Sequence, residues 1–159
     1  MVTGSTYLKR RHLIDSDSRE RLLLYILKSC QRYGWNLEDW VILDNHYHLM
    51  LESPENADSL PLLVKAAHKF TSIWLRKNKE VDTSKKIFHN YWDSCITYER
   101  SYFARLNYVY FNPVKHVYVS HPKDYPFGSY FYRYEKFAEE LKILRDKYPF
   151  EGVNVNDNF

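Results

Sequence analysis

The sequence is poor in the residues that cross-link a chain or let it swivel. Its two cysteines, Cys30 and Cys95, stand far apart and outside any Cys-x-x-Cys pair. That excludes a disulfide scaffold or a zinc knuckle and predicts reduced thiols. Only four glycines occur, with no low-complexity tract and no internal repeat, so neither a flexible interdomain linker nor a repeat array is expected. The reading is one domain over 1–159, with 117–159 as a C-terminal extension and frayed tail. No apolar run approaches a membrane span, and "MVTGSTYLKRRHLI" lacks the apolar core and cleavage site of a secretory signal. A cytoplasmic chain with no membrane partner follows as an expectation. Strong charge is missing too: 23 Lys and Arg face 20 Asp and Glu, a net +3, which by itself does not single out nucleic acid as partner.

Aromatic residues are plentiful. Fifteen Tyr, nine Phe and four Trp make up 18% of the chain, and many adjoin Lys or Arg, as in "TYLKRRH" and "YFYRYEKF". Such interleaving suits unpaired bases stacked on rings while cations hold phosphates. It is equally the composition of an aromatic core with ordinary surface charge.

Hydrophobic periodicity orders the elements as βαββαβα. Residues 2–14 read as an opening strand. Leu22, Leu23, Ile26, Leu27 and Cys30 give a helix from Ser18 to Tyr33, stopped by Gly34. "WNLEDWVIL" and "HYHLMLES" read as a hairpin through Asp44-Asn45. A second helix over 58–78 carries Leu63, Ala66, Ala67, Phe70, Ile73 and Trp74 on one stripe. "HNYWDSCITY" reads as a fourth strand and "SYFARLNYVYFN" as a helix ended by Pro113. "HPKDYPFGSY" is loop-like, and a last helix lies around 134–147. The predicted class is α+β: a ferredoxin-like antiparallel sheet with helices on one face and a C-terminal helical extension.

Within "VILDNHYHLMLES", His46 and His48 alternate with Tyr47, so on a strand the two imidazoles share a face and can chelate one ion. Leu49 and Leu51 share the face of Tyr47, which places the histidines on the sheet face away from the core. Two histidines leave most of a metal's coordination shell open, as a catalytic ion requires. The pair alone is equally consistent with two buried histidines bonded to backbone carbonyls. His12, His68, His89, His116 and His121 are single and read as surface or core residues.

At 100° per residue the helix over 101–112 divides into Tyr102, Phe103, Leu106, Val109 and Tyr110 on one side, and Ser101, Arg105, Tyr108 and Asn112 on the other. A nucleophile, an oxygen ligand and a cation can therefore converge on one phosphate. A phenol is a poor nucleophile at its usual pKa of about 10, but it can attack a metal-polarised phosphodiester.

"NHYHLML" resembles the His-hydrophobic-His motif of the single-tyrosine HUH transposases, and "YVYFNPVKH" their Tyr-x-x-x-Asn-Pro-Val segment. "YPFGSY" is similar to the Tyr-Pro-aromatic-Ser-Ser-Tyr pattern of the REP-associated members. The resemblance spans roughly residues 2–132. It implies that Tyr108 attacks single-stranded DNA to leave a 5′-phosphotyrosine and a free 3′-hydroxyl. It further implies that His46, His48 and Asn112 bind Mg2+ or Mn2+, and that the partner is DNA with palindromic hairpins. Arg105, Lys9, Arg10, Arg11, Lys65 and Lys69 are candidate phosphate contacts. In dimeric members the helix bearing the tyrosine docks on a partner's sheet, so a homodimer is one expectation. The rival readings are a hairpin-binding DNA or RNA regulator that no longer cuts, and a metal-dependent RNA endonuclease. Two departures stand out: Tyr47 occupies a position usually aliphatic, and "VKHVYV" replaces a stretch that commonly holds a small residue and glycine.

Overall fold

The computed structural model describes residues 1–79, 81, 82 and 84–153. Four strands, β1 (Val2–Ser5), β2 (Asn36–Ile42), β3 (His46–Glu52) and β4 (Trp92–Asp93), form one antiparallel sheet in the order β2-β3-β1-β4. With α1 (Ser16–Tyr33) between β1 and β2 and α2 (Leu60–Asn78) between β3 and β4, this is the ferredoxin-like arrangement expected. Both helices have local start or stop signals. The Asp15 carboxylate accepts from the Ser18 amide at the start of α1, and Gly34, at φ 75°, ends it in the left-handed conformation that a side chain would strain. Pro61 sits in the first turn of α2, where its missing N–H costs nothing.

Alternation along the strands sends side chains into two separate cores. Val2, Ile42, Tyr47 and Leu49 join Leu22, Ile26, Leu63 and Leu75 beneath α1 and α2. Val41, Leu43 and Met50 join Leu106, Val109, Tyr110, Tyr130 and Leu141 beneath α3 (Glu99–Lys115) and α4 (Ser129–Lys147). The histidine face is therefore not turned away from a core, as the sequence suggested, but bordered by a second one. The C-terminal extension builds that second layer.

Four expectations are corrected. The first strand ends at Ser5 rather than residue 14, because the chain turns through a 3-10 turn, Tyr7–Lys9, with Leu8 and Lys9 both at φ 56°. The stripe on α2 is rotated: Leu63, Val64, Ala67, Thr71 and Leu75 are buried, while Phe70 and Ile73 are exposed. The fourth strand is two residues long instead of ten. Pro113 does not end α3 but lies inside it, two residues before Lys115. Its missing N–H forgoes the bond to the Val109 carbonyl, and the helix runs only two residues further.

The "YPFGSY" segment clasps the outer edge of β2. Tyr125 donates to the Ile42 carbonyl, the Ile42 amide donates to Phe127, and Gly128 bridges Val41. Ser129, Tyr110 and Arg133 all donate to the Asp39 carboxylate. An edge strand that would otherwise invite pairing is thereby covered.

Candidate active site

Strand register builds the site. Val41, His48 and Thr3 lie in one row across β2, β3 and β1, and Ser5 stands opposite His46. Asn112 Nδ2 donates to His48 Nε2 at 3.2 Å, so the ring proton of His48 lies on Nδ1, 2.8 Å from Thr3 Oγ1. His46 Nδ1 likewise donates to Asn45 Oδ1 at 2.7 Å. Both imidazoles thus keep their lone pairs on Nε2, each fixed by a hydrogen bond on the opposite nitrogen, as in metal-binding histidines. Burial above all, then the neighbouring His116, holds the His46 pKa down at about 3. Burial and His46 push that of His48 well below the ordinary imidazole value. Both are neutral at physiological pH, the state that ligates a metal.

Tyr47, the unusual middle residue, is accommodated by two neighbours. Its hydroxyl lies 2.8 Å from His68 Nε2, and its ring passes over Gly4, where an added Cβ would fall 2.3 Å from the ring. Glycine at position 4 and histidine at 68 make a tyrosine possible there.

The α3 helix docks on its own chain's sheet and brings Tyr108 and Asn112 to β3. The Tyr108 ring meets the His48 ring edge-on at a centroid distance of 5.3 Å. Although off the apolar stripe, Tyr108 and Asn112 are both buried, Tyr108 to 2% exposure. The reason is that α3 is covered on two sides. Asn107 donates to the carbonyls of Leu144 and Tyr148 at the end of α4, and Phe150 closes edge-on toward Tyr108.

Two site residues escaped the sequence reading. Lys115 Nζ donates to the Tyr108 hydroxyl at 3.2 Å and lies 4.8 Å from its ring centre. The His116 ring stands 4.8 Å from that of His46, its pKa lowered by burial first and Lys115 second. The signal was present: Tyr108, Asn112 and His116 recur every fourth residue on one helical stripe. Ending the helix at Pro113 hid it.

The expected cations are scattered. Arg105 bonds Ser101 and lies near the Met1 ammonium, whose pKa is lowered by burial first and Arg105 second. The cation beside Tyr108 is Lys115. Arg11 pairs with the buried carboxylate of Asp44. Lys9, the last residue of the 3-10 turn, and Arg10 after it are exposed, and Lys65 and Lys69 line a cleft beside α2.

Among the described residues no three His, Cys, Asp or Glu side chains form a metal-holding group. The donors that fit an ion are instead two neutral imidazoles and an amide oxygen. Asn112 Oδ1 is buried without a hydrogen bond of good geometry among the described residues, although its amide lies near enough to His46 to favour the charged imidazole. An unmatched buried oxygen is costly in an apolar setting and is relieved by a cation. Three protein donors leave coordination positions for phosphate oxygens.

Comparison with known proteins agrees with this geometry. The sequence profile described as "Transposase IS200 like" matches residues 5–108. A Haemophilus influenzae protein named as a REP-associated tyrosine transposase is 26% identical over 111 residues, 65% of this chain and 63% of that protein. The REP-associated tyrosine transposase of Escherichia coli is 26% identical over 125 residues, 76% of this chain and 70% of its own. A solved REP-associated tyrosine transposase, bound to a REP hairpin, superposes with a TM-score of 0.69 at 22% identity, covering 99% of this chain and 86% of that one. No helix among the described residues is long and apolar enough to cross a membrane.

Proposed function

Because this chain belongs to the IS200-like transposase family, we propose that it nicks single-stranded DNA at hairpins and transfers the strand through a 5′-phosphotyrosine on Tyr108. The observation that carries this reading is the meeting of the Tyr108 ring, His48 and Asn112 in one buried cluster, from a strand and a helix distant in sequence. Its likeness to relatives named REP-associated supports hairpins as the partner, as does the REP hairpin bound by the similar solved protein.

In this mechanism His46, His48 and Asn112 would hold a divalent cation, Mg2+ or Mn2+, which would supply polarisation of the scissile phosphate and offset charge developing on its oxygens. The Tyr108 oxygen attacks phosphorus, forming the Tyr–O–P bond as P–O3′ breaks; the phenolic proton passes to solvent water, and the departing 3′-oxygen takes a proton from solvent. Lys115, already donating to that oxygen, stabilises phenolate character as it develops. Reversal with another 3′-hydroxyl rejoins strands without a nucleotide cofactor. Tyr108, His48 and Asn112 are brought together here by one chain.

One feature favours the rival reading of a binder that does not cut: Tyr108 is covered by Phe150, and a nucleophile so placed must be uncovered before it meets DNA. Cleavage of labelled hairpin DNA with single-stranded flanks separates the two readings. Wild type should cut with Mg2+ or Mn2+ and not with EDTA, and His48→Ala and Asn112→Ala should not cut. Tight hairpin binding with no cut in either metal would establish the binder instead.

A further inference from the structure

The other edge of the sheet carries a feature that the nicking site leaves unexplained. Tyr7, His89 and Trp92 stack in sequence: Tyr7 and His89 at 6.2 Å with planes 8° apart, His89 and Trp92 at 5.5 Å and 6°. Near-parallel rings at these spacings are offset stacks. Neither core includes them; Trp92 is 39% exposed, His89 is exposed and Tyr7 half-buried. Their backbone is nevertheless tied down, since the His89 amide donates to Ser5, the Tyr7 amide donates to Ile87, and Thr6 bridges Phe88. A rigid ring stack open to water contributes little to folding and is already ordered for a ligand.

Its position is set by register. Thr3 pairs with His48 on one side and Trp92 on the other, so Val41, His48, Thr3 and Trp92 form one row with side chains on the same face. Asp93, the neighbouring anion, pairs with Val2 and points to the opposite face. Trp92 thus stands two strand spacings, about 10 Å, from His48, or about three nucleotide steps at duplex rise. Helices α3 and α4 pack chiefly over β2 and β3 and leave this side of the face open. Cations flank it: Lys86 Nζ lies 5.6 Å from the Tyr7 ring centre. Around the edge, a cleft of about 610 Å3 is lined by Lys65, Lys69, Arg76 and Lys86.

We propose that the Tyr7–His89–Trp92 stack is a platform for an unpaired nucleobase of the strand whose backbone passes the His48–Tyr108 site, with Lys86 and the α2 lysines holding the flanking phosphates. Rings accept any base on their π-faces, while the cations match the backbone. The proposal rests on single-stranded DNA being the substrate, and it adds where that strand runs and what grips it.

The test measures binding of a fluorescein-labelled oligothymidylate by anisotropy at low salt, in a Tyr108→Phe background that blocks covalent chemistry. Trp92→Ala should weaken binding about 5- to 150-fold, the range of one lost base stack. Trp92→Phe should stay near the parent, and Lys86→Ala should flatten the salt dependence. Ultraviolet cross-linking of the parent to the same oligonucleotide should place thymine on a peptide holding Tyr7 or residues 86–92, a readout independent of how well any variant folds. Absence of oligothymidylate binding by the parent, equal binding by Trp92→Ala, or cross-links confined to other peptides would overturn the platform. Covalent trapping through Tyr108 in wild type is scored separately: if it persists while Trp92 proves indifferent, the platform fails and the nicking reading stands. If trapping fails while Trp92 still governs binding, the reverse holds.

Discussion

On β3, Tyr47 and Leu49 face α1 and α2, while His46, His48 and Met50 face α3 and α4, and the two sides differ in what they leave unmet. The first side is closed: apolar packing surrounds Tyr47, and its one polar atom finds His68. The second side buries two neutral imidazoles beside the Asn112 amide oxygen, which has no hydrogen-bond partner of good geometry among the described residues. Such an oxygen is costly to bury, and its place beside His46 and His48 marks this side of the strand as the candidate site.

The comparison can be broken at the rim of the acting face. Asp39, almost fully buried, accepts from Tyr110, Ser129 and Arg133. Asp39→Ala should lower unfolding free energy by about 3 kcal/mol, since several donors lose one charged acceptor; Arg133, partly exposed, recovers some hydration. Chemical denaturation measures it, and a loss under 1 kcal/mol would mean the clasp on β2 contributes little. On the closed face, Gly4→Ala should cost about 1–3 kcal/mol by forcing Tyr47 aside. Adding Tyr47→Leu should recover much of that cost, because the two positions are coupled. Strict additivity would show that the close approach is not the cause.

The smallest stability effect, with the most telling consequence, belongs to Thr3→Val. It removes one hydrogen bond to His48 Nδ1 and should cost about 1 kcal/mol, yet weaken metal binding about 10- to 100-fold because the ring is no longer fixed. A thermal shift on adding Mn2+ reads this directly. The shift should be present in wild type, larger with Mn2+ than with Mg2+ because imidazole suits the transition metal better, smaller in Thr3→Val, and absent in Asn112→Ala. Equal shifts in all three proteins would remove the metal from these residues.

Much of this was legible in the sequence, for reasons that also mark where reading fails. The alternation of His46, Tyr47 and His48 has the strand's own period, so their facing followed directly. The caps of α1 and the proline of α2 are local signals. What failed depended on tertiary context. Phe70 and Ile73 on α2 are exposed despite their chemistry, because Leu63, Val64, Ala67, Thr71 and Leu75 form the buried stripe instead. Tyr108 is buried because His48 on the sheet and Phe150 of the C-terminal extension both pack on it, neither of which a helical wheel contains. Lys115 and His116 fell beyond the expected helix end because Pro113 reads as a helix stop, whereas α3 runs two residues past it. The stretch around β4 has β-prone aromatic residues, but only Trp92 and Asp93 pair as a strand there.

The central claim is that Tyr108 forms the covalent bond to DNA. Wild-type protein incubated with hairpin DNA and Mn2+, denatured and digested, is analysed by mass spectrometry for a tyrosine bearing a 5′-linked nucleotide. The account predicts the adduct on the peptide containing Tyr108, absent in Tyr108→Phe and after EDTA. An adduct on Tyr110 or another tyrosine, or an adduct that survives in Tyr108→Phe, would contradict it.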